Sequence, residues 1–418
     1  MHLPTGPLLL GLSLSILGPS QLEASPTAHQ MESPPRESQL NGVVPDPDST
    51  THVGIHPGGG GLYLKDGDVH ARLMGYLQPT LAVFPRTPDR RDAPGAFSIR
   101  RARLDLLVEL YDEFTFFVEL DGAPTTRTAL VEGWIHWRLH GEGVQFRAGK
   151  FIGRFSAENG RSSRAIDTVE RFMALNSMFL LPALDTQTGV MLHGTGLAGG
   201  WLDYSLGIYN GNGSANANIP ENNGSKEIQL KVALTLRPDL QVAGALDWSR
   251  EEEQVLQLAD LGFNTYTSVP VEGIRRGVGG DLRWEGEQGT SIRAEALSFR
   301  FHQAMEDPSP GARGEPPAPD RRIGLHGGFV QPAHFVRGGP QEGVQLLARG
   351  EWVRLNGISD EGVDTLLALT LGANIFPNAN TRAQLNAVLT HSNGPSSARG
   401  FDSARWSPLL LAQLQFKL

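Results

Sequence analysis

The chain lacks several features that mark common classes of protein. It has 418 residues but no cysteine, which excludes disulfide bonds, thiol catalysis and cysteine-ligated zinc. After residue 20 it has no apolar run near the roughly 20 residues that a membrane-spanning helix needs. Its formal net charge is -9, which argues against a nucleic-acid partner because the neutralisation of phosphates needs a basic face. What remains is a chain rich in glycine, 39% of whose residues are hydrophobic.

The N-terminal part predicts two segments that precede the main domain. Residues 8–17 (LLLGLSLSIL) form an apolar run that is too short to span a bilayer, and small residues follow as far as Ala24. This pattern is typical of a cleaved secretory signal, so residues 1–24 are predicted to be a signal peptide, with a buried hydrophobic strand as the alternative. Residues 25–68 are rich in proline and glycine and have few large apolar side chains, which predicts an arm or linker.

From residue 69 onward, hydrophobic residues recur with period two, which places successive side chains on opposite faces of a β-strand. Within 228–236, five large aliphatic residues share one face, whereas Gln229, Lys231 and Thr235 lie on the other. The same alternation recurs along the chain and defines 16 candidate strands. They start near Val69, Phe97, Phe114, Val131, Val144, Gly189, Leu202, Glu227, Leu240, Val278, Ser291, Ile323, Val344, Thr365, Thr381 and Leu409.

The connections between the candidate strands alternate in length. Those after even-numbered strands are short, such as 111–113 and 238–239, whereas those after odd-numbered strands are mostly long, the longest spanning 152–188. Tight turns at one end and long loops at the other are typical of an outer-membrane β-barrel. A barrel closes on itself because every backbone N–H and C=O group in hydrocarbon must be paired. Residues 69–418 are therefore predicted to form an all-β, transmembrane antiparallel β-barrel of about 16 strands, with one face toward the lipid bilayer.

Four motifs lie in the first half of this predicted barrel: FSIRRARL at 97–104, FTFFVELD at 114–121, VEGWIHWRL at 131–139 and VQFRAGKFIGRF at 144–155. Together they resemble the phosphate-selective porin O and P family of the bacterial outer membrane. The resemblance implies a 16-stranded barrel, a homotrimer and a third outside loop that folds inward to narrow the pore. The long connection 152–188 occupies the position of that loop.

The resemblance also implies a set of basic residues that meet anions. In the phosphate-selective members of the family, arginines on the barrel wall and basic residues at the constriction bind anions, which the planar guanidinium group can do bidentately. Within the RRAR segment, the period-two pattern directs Arg101 and Arg103 to the lumen and Arg100 to the other face. The candidate pore and anion-binding residues are Arg101, Arg103, Arg147, Lys150, Arg154, Arg161, Arg164 and Arg171.

A second interpretation of these basic residues stays open, in which they pair with neighbouring acids and brace the structure. The four arginines of the connection 152–188 are balanced by four acidic residues, and the predicted lumen positions carry both signs of charge. The sequence therefore predicts a porin for passive diffusion of small hydrophilic solutes, with a preference for anions or phosphate. The alternative is a structural or adhesive outer-membrane barrel whose lumen is plugged.

No pattern in the sequence predicts an enzyme, a cofactor or a metal site. The 12 histidines form no HExxH motif or closely spaced cluster. The glycine run at 58–61 lacks the Lys-Ser/Thr pair of a phosphate-binding loop. One helical pattern occurs within the long connection, at 166–181, and predicts a helix that anchors this connection to the barrel wall.

Overall fold

The computed structural model describes ten stretches of the chain. The predicted signal peptide (1–24), and the part of the predicted arm that precedes residue 51, lie outside the described residues. The described residues are 51–55, 60–83, 95–123, 129–177, 182–211, 225–259, 266–303, 322–359, 362–393 and 406–418.

Most of the described residues belong to β-strands. The strands are β1 (Thr51–Ile55), β2 (Leu62–Asp66), β3 (Val69–Val83), β4 (Gly95–Leu110), β5 (Phe114–Asp121), β6 (Ala129–His140), β7 (Val144–Ile152), β8 (Thr186–Gly196), β9 (Leu202–Tyr209), β10 (Glu227–Arg237), β11 (Leu240–Ala259), β12 (Tyr266–Glu285), β13 (Thr290–Gln303), β14 (Gly324–Gly338), β15 (Gly343–Ser359), β16 (Gly362–Asn378), β17 (Thr381–Asn393) and β18 (Trp406–Lys417). The short helical elements are α1 (Met173–Ser177), α2 (Leu197–Gly200) and the 3-10 turns Pro182–Leu184 and Glu287–Gly289. Among the described residues, no helix is both long and apolar enough to cross a membrane.

Strands β3 to β18 form a closed antiparallel barrel of 16 strands. Each of these strands pairs with the next along the chain, and the ring closes where β18 pairs with β3. Across this seam Leu410 lies opposite Val83 and Lys417 lies opposite Tyr76. The predicted all-β barrel of about 16 strands is thus confirmed, because closure gives each strand two neighbours for its backbone hydrogen bonds.

The side chains of each strand alternate between the outside and the inside of the barrel. On β10, Ile228, Leu230 and Val232 are exposed on the outer face, whereas Glu227 and Gln229 are buried on the inner face. This is the alternation predicted from the sequence, with apolar side chains outward and polar ones inward. It explains how a chain of modest average hydrophobicity can present an apolar exterior to lipid.

Tight turns lie at one end of the barrel. The turn between β4 and β5 places Tyr111 and Asp112 at φ angles of 55° and 54°, and the backbone N–H of Glu113 donates to the carbonyl of Leu110 at 3.1 Å. Two consecutive left-handed residues match the twist of the flanking strands. Strand β3 begins at this end and strand β18 ends there. The backbone N–H of Leu418 donates to the carbonyl of Gly75 at 2.9 Å.

A short hairpin precedes the barrel, at 51–66, within the segment that the sequence predicts to be an arm. Strands β1 and β2 pair with each other, and β2 also pairs with the first residues of β3 at 69–73. Strand β18 pairs with the later residues of the same edge, at 76–83. The hairpin therefore continues the sheet beyond the end of β18. Each strand has only five residues, and the glycine run between them obscures their alternating pattern.

The residues that follow β7, 153–175, pack against the inward side chains of the barrel wall, and we call them the inner segment. Phe155 contacts Phe299 with ring centroids 5.0 Å apart, and Phe172 contacts Phe329 at 4.8 Å. These rings belong to a large buried cluster formed by the inner segment and the inner faces of β11 and β13–β16. The helix predicted over 166–181 is wrong over 166–172, since α1 spans only Met173–Ser177, and residues 178–181 lie outside the described residues.

Replacing Phe172 by Ala tests the packing of the inner segment. Phe172 is fully buried, and truncation of a buried phenylalanine costs about 3–5 kcal/mol. The strands of the barrel do not depend on this ring, so we expect the barrel to fold while the inner segment loosens. Limited trypsin digestion should then cleave faster at Arg161 and Arg171. Leu346→Ala, on the outer face of β15, is the control. Equal cleavage of both variants and the original chain would contradict this packing.

Candidate pore and its basic residues

The inner segment is held by hydrogen bonds from side chains of the wall to its backbone. The carbonyl of Asp167 accepts from Asn374 at 2.8 Å and from Gln384 at 3.1 Å. The backbone N–H of Val169 donates to Asn386 at 2.7 Å. The carbonyl of Ile166 accepts from Arg382 at 2.8 Å. The carbonyls of Ile166 and Asp167 would have been paired internally in a continuous helix over 166–181, and their bonds to the wall are the physical reason that residues 166–172 are not helical.

The inner segment is also tied to the wall at β3, β4 and β18. Gln78 and Gln415 donate to the carbonyls of Ser163 and Arg164, each at 3.3 Å. On β4, the guanidinium of Arg100 makes two bonds to the carboxylate of Glu170, at 3.2 and 3.1 Å. The inner segment therefore bridges wall strands on both sides of the seam between β18 and β3.

The position of Arg100 corrects the expectation that it faces away from the lumen. The register between β3 and β4 shifts after Gln78, which lies opposite Arg101, whereas Pro79 lies opposite Ile99. Arg100 is the extra residue of this β-bulge, and a bulge re-aims a side chain that strict alternation would send outward. Arg100 and Arg101 both contact inward groups for this reason.

Two of the eight predicted pore residues are engaged on the inner face of β4. Arg101 donates to the side-chain oxygen of Gln78 at 2.8 Å and is buried. Arg103 pairs with Glu119 and with Asp121, the latter at 2.8 Å, and its side chain is fully buried. Two carboxylates around one guanidinium leave no excess positive charge at Arg103.

Three more of the predicted residues bond within the inner segment or to its surroundings. Arg161 pairs with Asp167 at 3.3 Å, and Arg164 lies 3.8 Å from Asp105 of β4. Arg171 donates to the backbone carbonyls of Glu158 at 3.1 Å and of Arg161 at 2.8 Å. These contacts agree with the second interpretation of the sequence, in which the basic residues pair with neighbouring groups and brace the structure.

Lys150 of β7 lies near the outer end of its strand. Its ammonium donates to the backbone carbonyl of Leu130 on β6 at 2.8 Å. No carboxylate of the described residues forms an ion pair with Lys150, although the charges of Asp185 and Glu132 act on it at longer range.

The two remaining predicted residues, Arg147 and Arg154, differ from the other six. The guanidinium carbon of Arg147 lies 4.0 Å from the ring centroid of Trp134 and 5.7 Å from that of Phe151. A guanidinium stacked on an aromatic face keeps its charge while its edge stays available for hydrogen bonds. Glu132 attracts Arg147 electrostatically, but its carboxylate is bonded to the indole N–H of Trp134 at 2.7 Å.

Arg154 begins the inner segment and extends the positive charge of Arg147. Each of these two arginines is close enough to act electrostatically on the other and on His193. Burial lowers the pKa of Arg154, but nothing in the described residues forms an ion pair with it. Among the eight predicted residues, Arg147 and Arg154 have neither a carboxylate ion pair nor a hydrogen-bond acceptor within the described chain.

Neutral polar groups complete the surroundings of these two arginines. The rings of His136 and His193 stack with centroids 5.2 Å apart, and neither ring nitrogen of the buried His193 has a hydrogen-bond partner in the structure. The hydroxyl of the buried Tyr209 also lacks a partner among the residues that the structure describes. We call the set Arg147, Arg154, His136, His193 and Tyr209 the arginine–histidine cluster. Unpartnered buried polar groups are costly, so they favour a site that takes up water or a solute.

Sequence reasoning missed Arg275 on β12. Its guanidinium bonds to Asp247 at 2.9 Å and to Glu227 at 2.5 Å, and all three side chains are fully buried. The register between β12 and β13 shifts between Glu272 and Arg275, with Gly273 at φ 99°. Arg275 lies on the same face as Asp281 and Arg283, and it was missed because the sequence predicts this strand to start near Val278, whereas β12 begins at Tyr266.

The carboxylate of Asp167 interacts electrostatically with three arginines, one in the inner segment and two on the barrel wall. Burial acts to raise the pKa of this carboxyl, but the charges of Arg161, Arg293 and Arg382 outweigh burial, so its pKa is lowered. A carboxyl with a lowered pKa stabilises the folded arrangement while it is ionised, and the stabilisation is lost as the pH falls through that pKa.

The described residues contain no group of three or more His, Asp or Glu side chains that could hold a metal ion.

Hydrogen exchange of the inner segment tests this linkage at Asp167. In the original chain we expect protection of residues 160–170 to decrease from neutral to acidic pH, after correction for intrinsic exchange rates. Asp167→Asn removes the charge at every pH, so its protection should already be low at neutral pH and should change less with acid. Asp112→Asn, in the turn after β4, is the control. A variant with unchanged protection at neutral pH would show that Asp167 does not anchor the segment.

Comparison with known proteins supports a porin. Residues 82–242 match the family model described as phosphate-selective porin O and P, which confirms the resemblance drawn from the sequence. No curated protein sequence matches the chain. The match and the closed barrel both support the predicted localisation in the bacterial outer membrane.

Solved structures of outer-membrane proteins share the fold. The trimer form of OmpT from Vibrio cholerae is 12% identical, with a TM-score of 0.56 over 84% of this chain and 99% of that one. OmpF of Salmonella typhi, in complex with daunomycin, is 9% identical, with a TM-score of 0.58 over 85% and 100%. The channel DcaP of Acinetobacter baumannii is also 9% identical, with a TM-score of 0.54 over 85% and 99%. At such low identity these similarities concern the fold alone.

Proposed function

We propose that this outer-membrane porin, whose residues 82–242 match the phosphate-selective porin O and P family, is a water-filled channel for passive diffusion of small hydrophilic solutes. The closed barrel with an apolar exterior and a polar interior supports this proposal. The inner segment has the position of a third outside loop, and we assign to it the narrowing of the pore. Both positively and negatively charged side chains lie where the inner segment contacts the wall. Charges of opposite sign across a pore favour hydrated solutes.

The channel prefers small anions in this proposal. One observation supports this preference: the guanidinium groups of Arg147 and Arg154 form no ion pair with a carboxylate of the described residues. The unpartnered groups of His193 and Tyr209 add hydrogen-bonding capacity beside them. The arginine–histidine cluster therefore provides the anion contact, including contact with phosphate-like oxyanions. Arg103, Arg161 and Arg164 pair with acids and serve to position the inner segment and the wall.

A homotrimer is part of the same proposal. The similar OmpT structure is described as a trimer form, and the exterior of this barrel carries many exposed aliphatic side chains. In a bilayer such an exterior can be covered by lipid or by neighbouring barrels.

Selectivity measurements on planar bilayers test the anion preference. The original protein should give stepwise conductance and a reversal potential that favours anions in a salt gradient. Arg147→Gln and Arg154→Gln, combined, should lower the anion-to-cation permeability ratio severalfold, because two uncompensated charges are removed. Arg237→Gln, at the tight-turn end of β10, should leave the ratio unchanged. A cation-selective original channel, or an unchanged ratio in the double variant, would contradict the assignment.

A barrel with a plugged lumen is the second candidate, and the tight contact between the inner segment and the wall favours it. Gln78, Arg349 and Asn374, which bond to the segment, are at most 2% exposed. In this case the purified barrel would show normal heat-modifiable folding but no current. Asn374→Ala combined with Asn386→Ala removes two anchors of the segment and should then create conductance. Stepwise conductance of the original protein would exclude the plugged barrel.

A further inference from the structure

Three arginines and a histidine form a basic patch on the outer face of the barrel. They lie on four consecutive strands: Arg276 on β12, Arg300 on β13, His326 on β14 and Arg354 on β15. Their chain neighbours Arg275, Phe299, Leu325 and Val353 are buried on the inner face, so the four residues of the patch point outward. We call them the outer-face basic patch.

Strand register brings the members of the patch side by side. Arg276 lies directly opposite Arg300 across β12 and β13, and His326 lies opposite Arg354 across β14 and β15. Ser298 lies opposite His326, and its hydroxyl is 2.8 Å from the Nδ1 atom of that ring. Like charges placed directly opposite each other destabilise a sheet. The patch therefore carries a repulsion that an anionic partner would relieve.

The protein itself supplies no such partner among the residues that the structure describes. Neither Arg276 nor Arg300 forms an ion pair or a side-chain hydrogen bond there, and Arg354 bonds only to the neutral amide oxygen of Asn356 at 3.2 Å. The arginines of the inner wall contrast with this. Arg275, the chain neighbour of Arg276, is bonded to two carboxylates.

The patch lies at the height of one surface of the hydrocarbon core of the bilayer. Arg300 lies ten residues beyond Thr290, the first residue after the tight turn. At about 3.3 Å per residue and a tilt of about 40°, ten residues rise roughly 25 Å, the height of the apolar band of an outer-membrane barrel. The patch therefore lies at the end with long loops, which faces outside. Trp248, opposite Arg276, and Trp352, near Arg354, are exposed at about this level, as interfacial aromatic residues are.

Arg250 of β11 is also basic and exposed on the outer face, ten residues beyond Leu240, so basic side chains at this level extend over five consecutive strands. Leu130 of β6 and Ile228 of β10 lie ten and nine residues from their tight turns, and both are exposed apolar residues. General snorkelling of long basic side chains would place them around the whole barrel. On the outer faces that the structure describes, the arginines at this level are instead confined to the arc from β11 to β15.

We propose that the outer-face basic patch binds the phosphate groups of a lipid headgroup in the outer leaflet. Arginine pairs bidentately with phosphate oxygens, and three guanidinium groups on adjacent strands match a headgroup that carries more than one phosphate. The acyl chains of that lipid would lie along the apolar exterior below the patch, where Val278, Val330 and Leu346 are exposed. This site is separate from the lumen and does not depend on the solute that passes through the barrel.

Native mass spectrometry of the purified full-length barrel in detergent tests the proposal. Bisphosphorylated lipid A should be retained, and lipid A from which both phosphates have been removed should be retained at least about tenfold less. Combined Arg276→Gln, Arg300→Gln and Arg354→Gln should reduce retention of the phosphorylated lipid to that lower level. Arg237→Gln with Arg337→Gln, at the opposite end of the barrel, is the matched control and should retain the lipid fully.

Heat-modifiable migration verifies that each variant is folded, and Arg300→Gln alone provides a milder variant if the triple variant does not fold. That single variant should still lose a measurable part of the retention. Equal retention of phosphorylated and dephosphorylated lipid would overturn the proposal. So would inorganic phosphate that binds to the patch as well as the lipid does, since the phosphate source would then not be a headgroup.

Discussion

The need to pair every backbone N–H and C=O group within hydrocarbon governs this structure. Strands β3 to β18 satisfy it by closing into a ring, in which β18 returns to β3. Closure then divides the side chains into an outer set, which must be apolar where it meets hydrocarbon, and an inner set, which is free to carry charge. The buried ion pairs of Arg103 and Arg275 are possible because they lie on the inner face, where each guanidinium has two carboxylate partners.

The inner segment meets the same requirement in another way. Its backbone lies in a crowded interior without neighbouring strands, so side-chain amides of the wall take the place of strand partners. Asn374, Gln384 and Asn386 bond to the backbone of Asp167 and Val169. Charges reinforce these bonds at Asp167 and Glu170. The polar residues of the late strands thus hold a segment that lies about 200 positions earlier in the chain, as the separations of 207 and 217 residues show.

The sequence predicted the barrel well because period-two patterning follows directly from strand geometry. All 16 predicted strands correspond to β3–β18. Bulges are harder to predict, since a single extra residue changes the face on which a side chain lies. Arg100 was assigned to the wrong face for this reason, whereas Arg275 was missed because its strand extends well before the predicted start near Val278. The site was only partly predictable, because pairing depends on three-dimensional neighbours. Eight basic residues look equivalent in sequence, but only contacts distinguish Arg147 and Arg154 from residues such as Arg103 and Arg161.

The hairpin of β1 and β2 has a consequence for the width of the barrel. A sheet that closes on itself can in principle join its two edges at several offsets, and each offset gives a different circumference. Here β2 occupies the edge of β3 as far as Leu73, and the N–H of Leu418 bonds to Gly75 immediately beyond it. Strand β18 therefore cannot slide further toward the tight-turn end without displacing β2. The hairpin acts as a stop for the last strand, so it selects one offset and with it one cross-section of the lumen.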